Sequence, residues 1–335
     1  MKVLITTTSF QDTPGPHHDL LAKQGWLLTR ERGPLSEDTM LKLVGDFDGI
    51  ICGDDAFTMP VLAQCLPRLK CLSKYGIGLD KIDLDAATEL KIPVCNTPGV
   101  NHTTVAEHTI GLLLSMVRNI PKENGFVRQA QWKRITGHEL AGHTLGVLGL
   151  GRIGKEVAKR AMAFGMKVLA YDIFWNGAND KFLSDLNAQF SHEVFAEFPP
   201  AIEHARSADA VLAACDFLAL HMNLTDDNRE FLNADRLAAM KDGVYIVNPS
   251  RGGLISEADM AAACKSGKVA GYAADVVEPE PIRKENPLIG LENVVLTPHI
   301  GSRTYESVVR QATMAVQNLT AMLAGKPPLH QANKF

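Results

Sequence analysis

Along most of the chain, short apolar runs alternate with stretches whose apolar residues recur every three to four positions. Residues 3–7, 49–52, 69–73 and 93–96 read as strands, and 18–24, 37–44 and 83–90 as helices between them. A longer helix is expected over 104–118 (TVAEHTIGLLLSMVR), followed by a polar stretch, 119–143, with little periodicity and no strand of its own. A second series then begins. Its strands are expected at 145–148, 167–171, 217–220, 244–247, 272–275 and 294–296, and a final helix at 305–323. Such alternation builds parallel sheets joined by crossover helices, so an α/β fold is expected. The span 174–214 is long for a link between two strands of one sheet. With Phe198-Pro199-Pro200 and a helical pattern from Ala201 onward, it is expected to carry a helix and a surface excursion.

The length of 335 residues exceeds one ordinary core and suits two domains. A hydrophobic fraction of 46% and a charged fraction of 21% describe an ordinary soluble globular protein. The net charge is −4 with both signs mixed along the chain, which argues against nucleic acid or an anionic membrane as the main partner. The opening MKVLIT reads at once as a buried strand, so no secretory signal is expected. The longest apolar stretch, 110–117, falls far short of the ~20 residues a membrane span needs. Cys52, Cys65, Cys71, Cys95, Cys215 and Cys264 form no CxxC pair, and most sit in apolar runs. Reduced core thiols in a cytoplasmic protein, with no metal site, are expected rather than a disulfide framework.

The strongest local signal is Gly149-Leu150-Gly151-Arg152-Ile153-Gly154. It follows an expected strand and opens an expected helix at 153–164, and the next strand ends in Tyr171-Asp172. That is the full context of a dinucleotide fingerprint. Gly149 permits a tight turn, Gly151 lets backbone approach a pyrophosphate, and Gly154 allows close helix–strand packing. The amides at Arg152 and Ile153 face the phosphates at the positive end of the helix. Asp172 can accept from ribose hydroxyls and would repel a 2′-phosphate, while Ile173 and Phe174 supply no cation. NAD is therefore favoured over NADP.

Three ionisable residues follow later strands: Arg251 in NPSRGG, Glu280 in DVVEPEP and His299 in TPHIG. Ligands of open α/β sheets gather at the carboxyl ends of strands. Each residue alone is as well explained by an exposed charge or a satisfied histidine. Together they match what hydride transfer at a 2-hydroxy acid requires. A planar cation grips a carboxylate and polarises the C2 oxygen. An imidazole exchanges the hydroxyl proton. A carboxylate fixes that imidazole's tautomer.

The chain resembles the D-isomer-specific 2-hydroxyacid dehydrogenase family, above all its phosphoglycerate dehydrogenase-like branch. The resemblance runs from about residue 69 to 323. It rests on an ordered set of motifs: KYGIGLDKIDL (74–84), NTPGVNHTTVAEHTIGLLL (96–114), ELAGHTLGVLGLGRIG (139–154), NPSRGGLI (248–255), DVVEPEP (275–281) and TPHIGS (297–302). It implies a Rossmann NAD-binding domain (103–301) inserted into a flavodoxin-like substrate domain (1–102 and 302–335). It implies Arg251 as substrate clamp, Glu280 as partner of the acid/base His299, and Asp275 against the nicotinamide carboxamide. Ile77 and Gly78 would receive the substrate carboxylate beside the nicotinamide. Lys74 stands where many phosphoglycerate dehydrogenases carry Arg, so a mobile charge facing a distal anion of the substrate is one expectation, and a rim lysine the other. The family uses the segment matching 119–143 as a dimer arm, which implies a homodimer with Trp132 near the interface. The substrate is expected to be a small 2-hydroxy or 2-keto acid, with a 3-phosphoglycerate-like acid among the candidates. Two other readings share the Arg/Glu/His set: an NAD-sensing corepressor-like binding protein and a phosphite dehydrogenase-like enzyme. Formate dehydrogenases of this superfamily carry glutamine where Glu280 stands.

Overall fold

The structure is a computed structural model that describes residues 1–190 and 197–335. Residues 191–196, part of the long span 174–214, lie outside the described residues. The chain divides into two compact units, Met1–Asn101 with Ser302–Phe335, and His102–Gly301.

In the first unit the strands are β1 (Lys2–Ile5), β2 (Leu27–Arg30), β3 (Gly49–Cys52), β4 (Cys71–Lys74) and β5 (Val94–Cys95). They form a sheet in the order β2-β1-β3-β4-β5, and its pairings are parallel. The interior strands β3 and β4 are buried throughout; β3 is an apolar run, whereas β4 buries Ser73 and Lys74 with their polar atoms hydrogen-bonded. One face is covered by α3 (Glu37–Leu43), α4 (Met59–Gln64) and α5 (Leu84–Glu89) through Met40, Val61, Leu62 and Ala86. The other is covered by α1 (Thr8–Asp12), α2 (Pro16–Ala22) and α13 (Tyr305–Leu323), whose Val308, Ala312, Ala315 and Leu319 enter the core. α13 approaches β3 so closely that a Cβ at Gly49 would lie 2.6 Å from Leu319. The Ser73 hydroxyl donates to the Ala315 carbonyl (2.9 Å) across the same contact. This explains why the last helix belongs to the sheet formed by the start of the chain.

The second unit opens with the long α6 (His102–Val117) and α7 (Ile120–Arg128). Its strands are β6 (Thr144–Leu148), β7 (Lys167–Tyr171), β8 (Ile202–His204), β9 (Phe217–Leu220), β10 (Val244–Asn248), β11 (Val269–Ala274) and β12 (Val294–Leu296). Between them lie α8 (Arg152–Ala163), α9 (Gly177–Gln189), α10 (Ala208–Ala214), α11 (Ala234–Ala239) and α12 (Glu257–Ser266). The sheet order is β12-β11-β10-β9-β6-β7-β8, with parallel pairings. The order reverses between β6 and β9, which creates a crevice at their carboxyl ends.

Two expectations are corrected. The stretch 119–143 contains α7, which starts at a left-handed Asn119 with Pro121 in its first turn. α7 has no buried residue, so no apolar stripe marked it. Within 174–214 there is a strand, β8, where a helical pattern was read from Ala201; the helix α10 begins only at Ala208. β8 is a short edge strand with one buried residue of three, and β2 at the other sheet's edge was missed for the same reason. The six cysteines are buried free thiols. Among the described residues, no helix is long and apolar enough to cross a membrane.

Candidate active site

In the second unit the chemistry-bearing residues stand at strand ends. β6 runs directly into Gly149, whose φ of +94° is left-handed territory and whose N–H donates to the Tyr171 carbonyl (2.8 Å). A Cβ at Gly149 would lie 2.5 Å from the His221 carbonyl oxygen, and one at Gly154 2.1 Å from the Gly149 carbonyl oxygen. Both glycines are therefore demanded by the protein's own packing. Gly151 is not: no atom lies within 4 Å of where its Cβ would be. An open position at a helix N-terminus, where Arg152 and Ile153 begin α8, suits a phosphate that needs to reach the backbone.

The Asp172 carboxylate ends β7 and braces this turn. Its Oδ2 accepts from the Leu150 N–H (2.7 Å) and its Oδ1 from the Phe174 N–H (2.8 Å). Each oxygen keeps a second lone-pair direction for a ribose hydroxyl. His221, at the end of β9, has a buried Nε2 with no hydrogen-bond partner. Burial depresses its pKa to about 3, so the ring is neutral beside the turn. These features fit a dinucleotide at the crevice between β6 and β9.

Arg251, Asp275 and His299 follow the neighbouring strands β10, β11 and β12. Arg251 is positioned through its backbone: the buried Asn248 donates to its carbonyl (2.8 Å), and its Nη1 donates to the Ser250 carbonyl (2.7 Å). Ser250 in turn donates from its hydroxyl to the Met222 carbonyl. The turn after Arg251 lies against the loop that carries Glu280, since a Cβ at Gly252 would lie 2.2 Å from the Val277 carbonyl carbon. His299 Nδ1 and Glu280 Oε2 are 2.8 Å apart, with 40% and 32% of the two side chains exposed. The carboxylate oxygen accepts, so Nδ1 carries the hydrogen.

His299 has φ of +51°, a conformation uncommon for a side-chain-bearing residue. Asp275 holds it there. The Asp275 backbone carbonyl accepts from the His299 N–H (2.8 Å). Its carboxylate, 2% exposed, accepts from the Thr297 hydroxyl (2.6 Å), the Ile300 N–H (2.8 Å) and the Gly301 N–H (2.7 Å). His108 of α6 lies 3.3 Å from the same carboxylate and 3.1 Å from the Thr297 hydroxyl oxygen. Burial pushes the Asp275 pKa up, but these donors outweigh it and hold the carboxyl below the usual carboxylate range. Asp275 was singled out in the sequence for a nicotinamide contact; its role as anchor of the 297–301 turn, and His108 with it, was not. The partners are far apart in sequence, and a lone histidine inside a helical motif gives no signal of its own.

In the first unit β4 ends at Lys74 and runs into the turn Gly76-Ile77-Gly78. That turn is pinned from the β5 side: Thr97 Oγ1 accepts from the Gly76 N–H (3.0 Å), and Asn96 Nδ2 donates to the Ile77 carbonyl (2.9 Å). The Ile77 and Gly78 amides have no acceptor among the described residues. Adjacent unclaimed amides of this kind suit an anion. Lys74 departs from expectation in its placement. It is neither mobile nor a rim residue, being 3% exposed, with its ammonium donating to the Gly53 carbonyl (2.6 Å) and paired with Asp54 (2.5 Å).

Residues 110–301 match the family model of the D-isomer specific 2-hydroxyacid dehydrogenase, NAD binding domain. The chain is similar to a glyoxylate reductase of Thermofilum pendens, 36% identical over 312 residues that span 90% of this chain and 86% of the relative. It is 34% identical over 335 residues to a D-3-phosphoglycerate dehydrogenase of Archaeoglobus fulgidus, covering 99% of this chain but 59% of that relative's length. A crystal structure of a protein from Thermus thermophilus superposes with a TM-score of 0.84 at 34% identity, covering 99% of this chain and 100% of the other.

Proposed function

The chain belongs to the D-isomer specific 2-hydroxyacid dehydrogenase family, an NAD-dependent oxidoreductase family, and from that premise we propose that His299, Glu280 and Arg251 carry its chemistry on a short 2-keto or 2-hydroxy acid. The bound nicotinamide supplies or receives the hydride. With Nδ1 engaged by Glu280, the opposite nitrogen of His299 gives a proton to the C2 oxygen in reduction and takes it back in oxidation. Glu280 fixes that tautomer and the orientation of the ring. Arg251 polarises the C2 oxygen and grips the acid. Within the first unit, the unclaimed Ile77 and Gly78 amides are our proposed seat for a carboxylate. The carrying observation is the 2.8 Å contact between His299 and Glu280, left partly open to solvent as proton exchange requires. His299→Ala should lower kcat by ~10²–10⁴ and leave NADH affinity, read by fluorescence titration, nearly unchanged. Wild-type turnover in this variant would remove His299 from the reaction.

The acid is of the kind named by these relatives, between glyoxylate and a phosphorylated glycerate. We also propose a homodimer through α7 and the residues after it. Ile120, Val127 and Trp132 are 52%, 56% and 77% exposed, and a nine-residue helix without a buried face gains little from its own bonds. Light scattering showing a monomer at micromolar concentration would oppose this.

A further inference from the structure

We infer that Asp54 sets the substrate's charge: by neutralising Lys74 it makes the site select singly charged 2-keto acids over those with a second anionic group. This rests on the dehydrogenase activity and on the Ile77–Gly78 amides as the carboxylate seat. Lys74 Nζ would lie 4.0 Å from a Cβ on Gly76, immediately before those two amides. It is thus the cation a second negative group on the substrate would need. Its charge is already matched by Asp54, and its remaining contact is the Gly53 carbonyl.

The turn that carries Asp54 is fixed. Asp55 is fully buried and accepts from the Leu35 N–H (2.8 Å), the Gly53 N–H (3.0 Å) and the Thr6 hydroxyl. Asp54, whose side chain is 55% exposed, holds its half of the pair at the solvent edge of the unit. A second anion placed beside the paired Asp54 finds no free cation in Lys74, and recruiting Lys74 would mean breaking a contact made by a buried ammonium. A penalty against the wrong partner is as good a route to specificity as attraction of the right one. A singly charged acid needs only the amides and avoids that cost.

The test compares kcat/KM for pyruvate with 2-oxoglutarate, and for hydroxypyruvate with 3-phosphohydroxypyruvate, in wild type, Asp54→Asn and the Asp54→Asn/Lys74→Met double variant. Asn keeps an acceptor for Lys74 and removes only the charge. The wild type should prefer the singly charged member of each pair by at least ~10-fold. Asp54→Asn should move the ratio toward the member with the second anionic group by at least ~10-fold, and the double variant should reverse that gain. A wild-type preference for the acids with a second anionic group, or an unchanged ratio in Asp54→Asn, overturns the inference. Calorimetric binding of the unreactive analogues oxamate and N-oxalylglycine to NADH-loaded protein reads the same preference without turnover. Protein that discriminates these analogues yet reduces no 2-keto acid would fail the hydride-transfer reading and keep the inference, whereas equal binding would overturn the inference alone.

Discussion

Two ion pairs stand at the carboxyl ends of the two sheets, and they are built in opposite ways. His299–Glu280 in the second unit keeps both side chains partly in water. Lys74–Asp54 in the first unit hides its cation at 3% exposure and leaves its carboxylate outside. A group that must trade protons has to meet solvent or substrate. A charge that needs only to be balanced can be closed off. The difference predicts where each pair registers when broken: the first in turnover, the second in stability and in the choice of substrate.

The largest effect is expected where the exposed pair is held in place. Asp275→Asn removes the charge that four donors converge on and should cost about 2–4 kcal/mol, measured by denaturant unfolding. It should also lower kcat, because the left-handed turn at His299 loses its anchor. A variant with wild-type stability and kcat would show that the turn holds itself. The native carboxyl also makes stability depend on pH. Its folded pKa lies below the ordinary value, so its contribution is complete above that value and is lost as pH falls through the folded pKa. Urea midpoints in Asp275→Asn should be flatter than wild type across that acid window.

The smaller effect comes from breaking the closed pair, and it should be lopsided. Asp54→Ala leaves a buried ammonium with only the Gly53 carbonyl and should cost about 1–3 kcal/mol. Lys74→Met leaves a carboxylate that water already reaches and should cost less than ~1 kcal/mol. Equal losses in the two variants would mean that the pair is screened like an ordinary surface bridge.

Much of this architecture is legible in the sequence. β7, β9 and α13 span the residues their periodicity predicts, because an interior parallel strand is a nearly unbroken apolar run and α13 carries a clear apolar stripe; the edge strand β12 is legible because all three of its residues, Val294–Leu296, are apolar. The edge strands β2 and β8 are not legible, since a short strand with one wet face has the pattern of a loop. The glycine turn and the strand-end positions of Arg251, Glu280 and His299 are readable for a simple reason: each follows a recognisable strand. The burial of Lys74 is not. Its partner Asp54 lies in a turn twenty residues upstream, and only the folded sheet brings the ends of β3 and β4 side by side. The same holds for His108, which meets Asp275 across more than half of the second unit's sequence.

The most direct test is steady-state NADH oxidation by the purified protein with glyoxylate, hydroxypyruvate and pyruvate, with the product acid analysed alongside the absorbance change. Turnover that yields one 2-hydroxy acid per NADH consumed, and that falls by ~10² or more in His299→Ala, is the predicted result. Protein that binds NADH but oxidises it with none of these acids would contradict the enzyme reading and point to a nucleotide-sensing binding protein on the same fold.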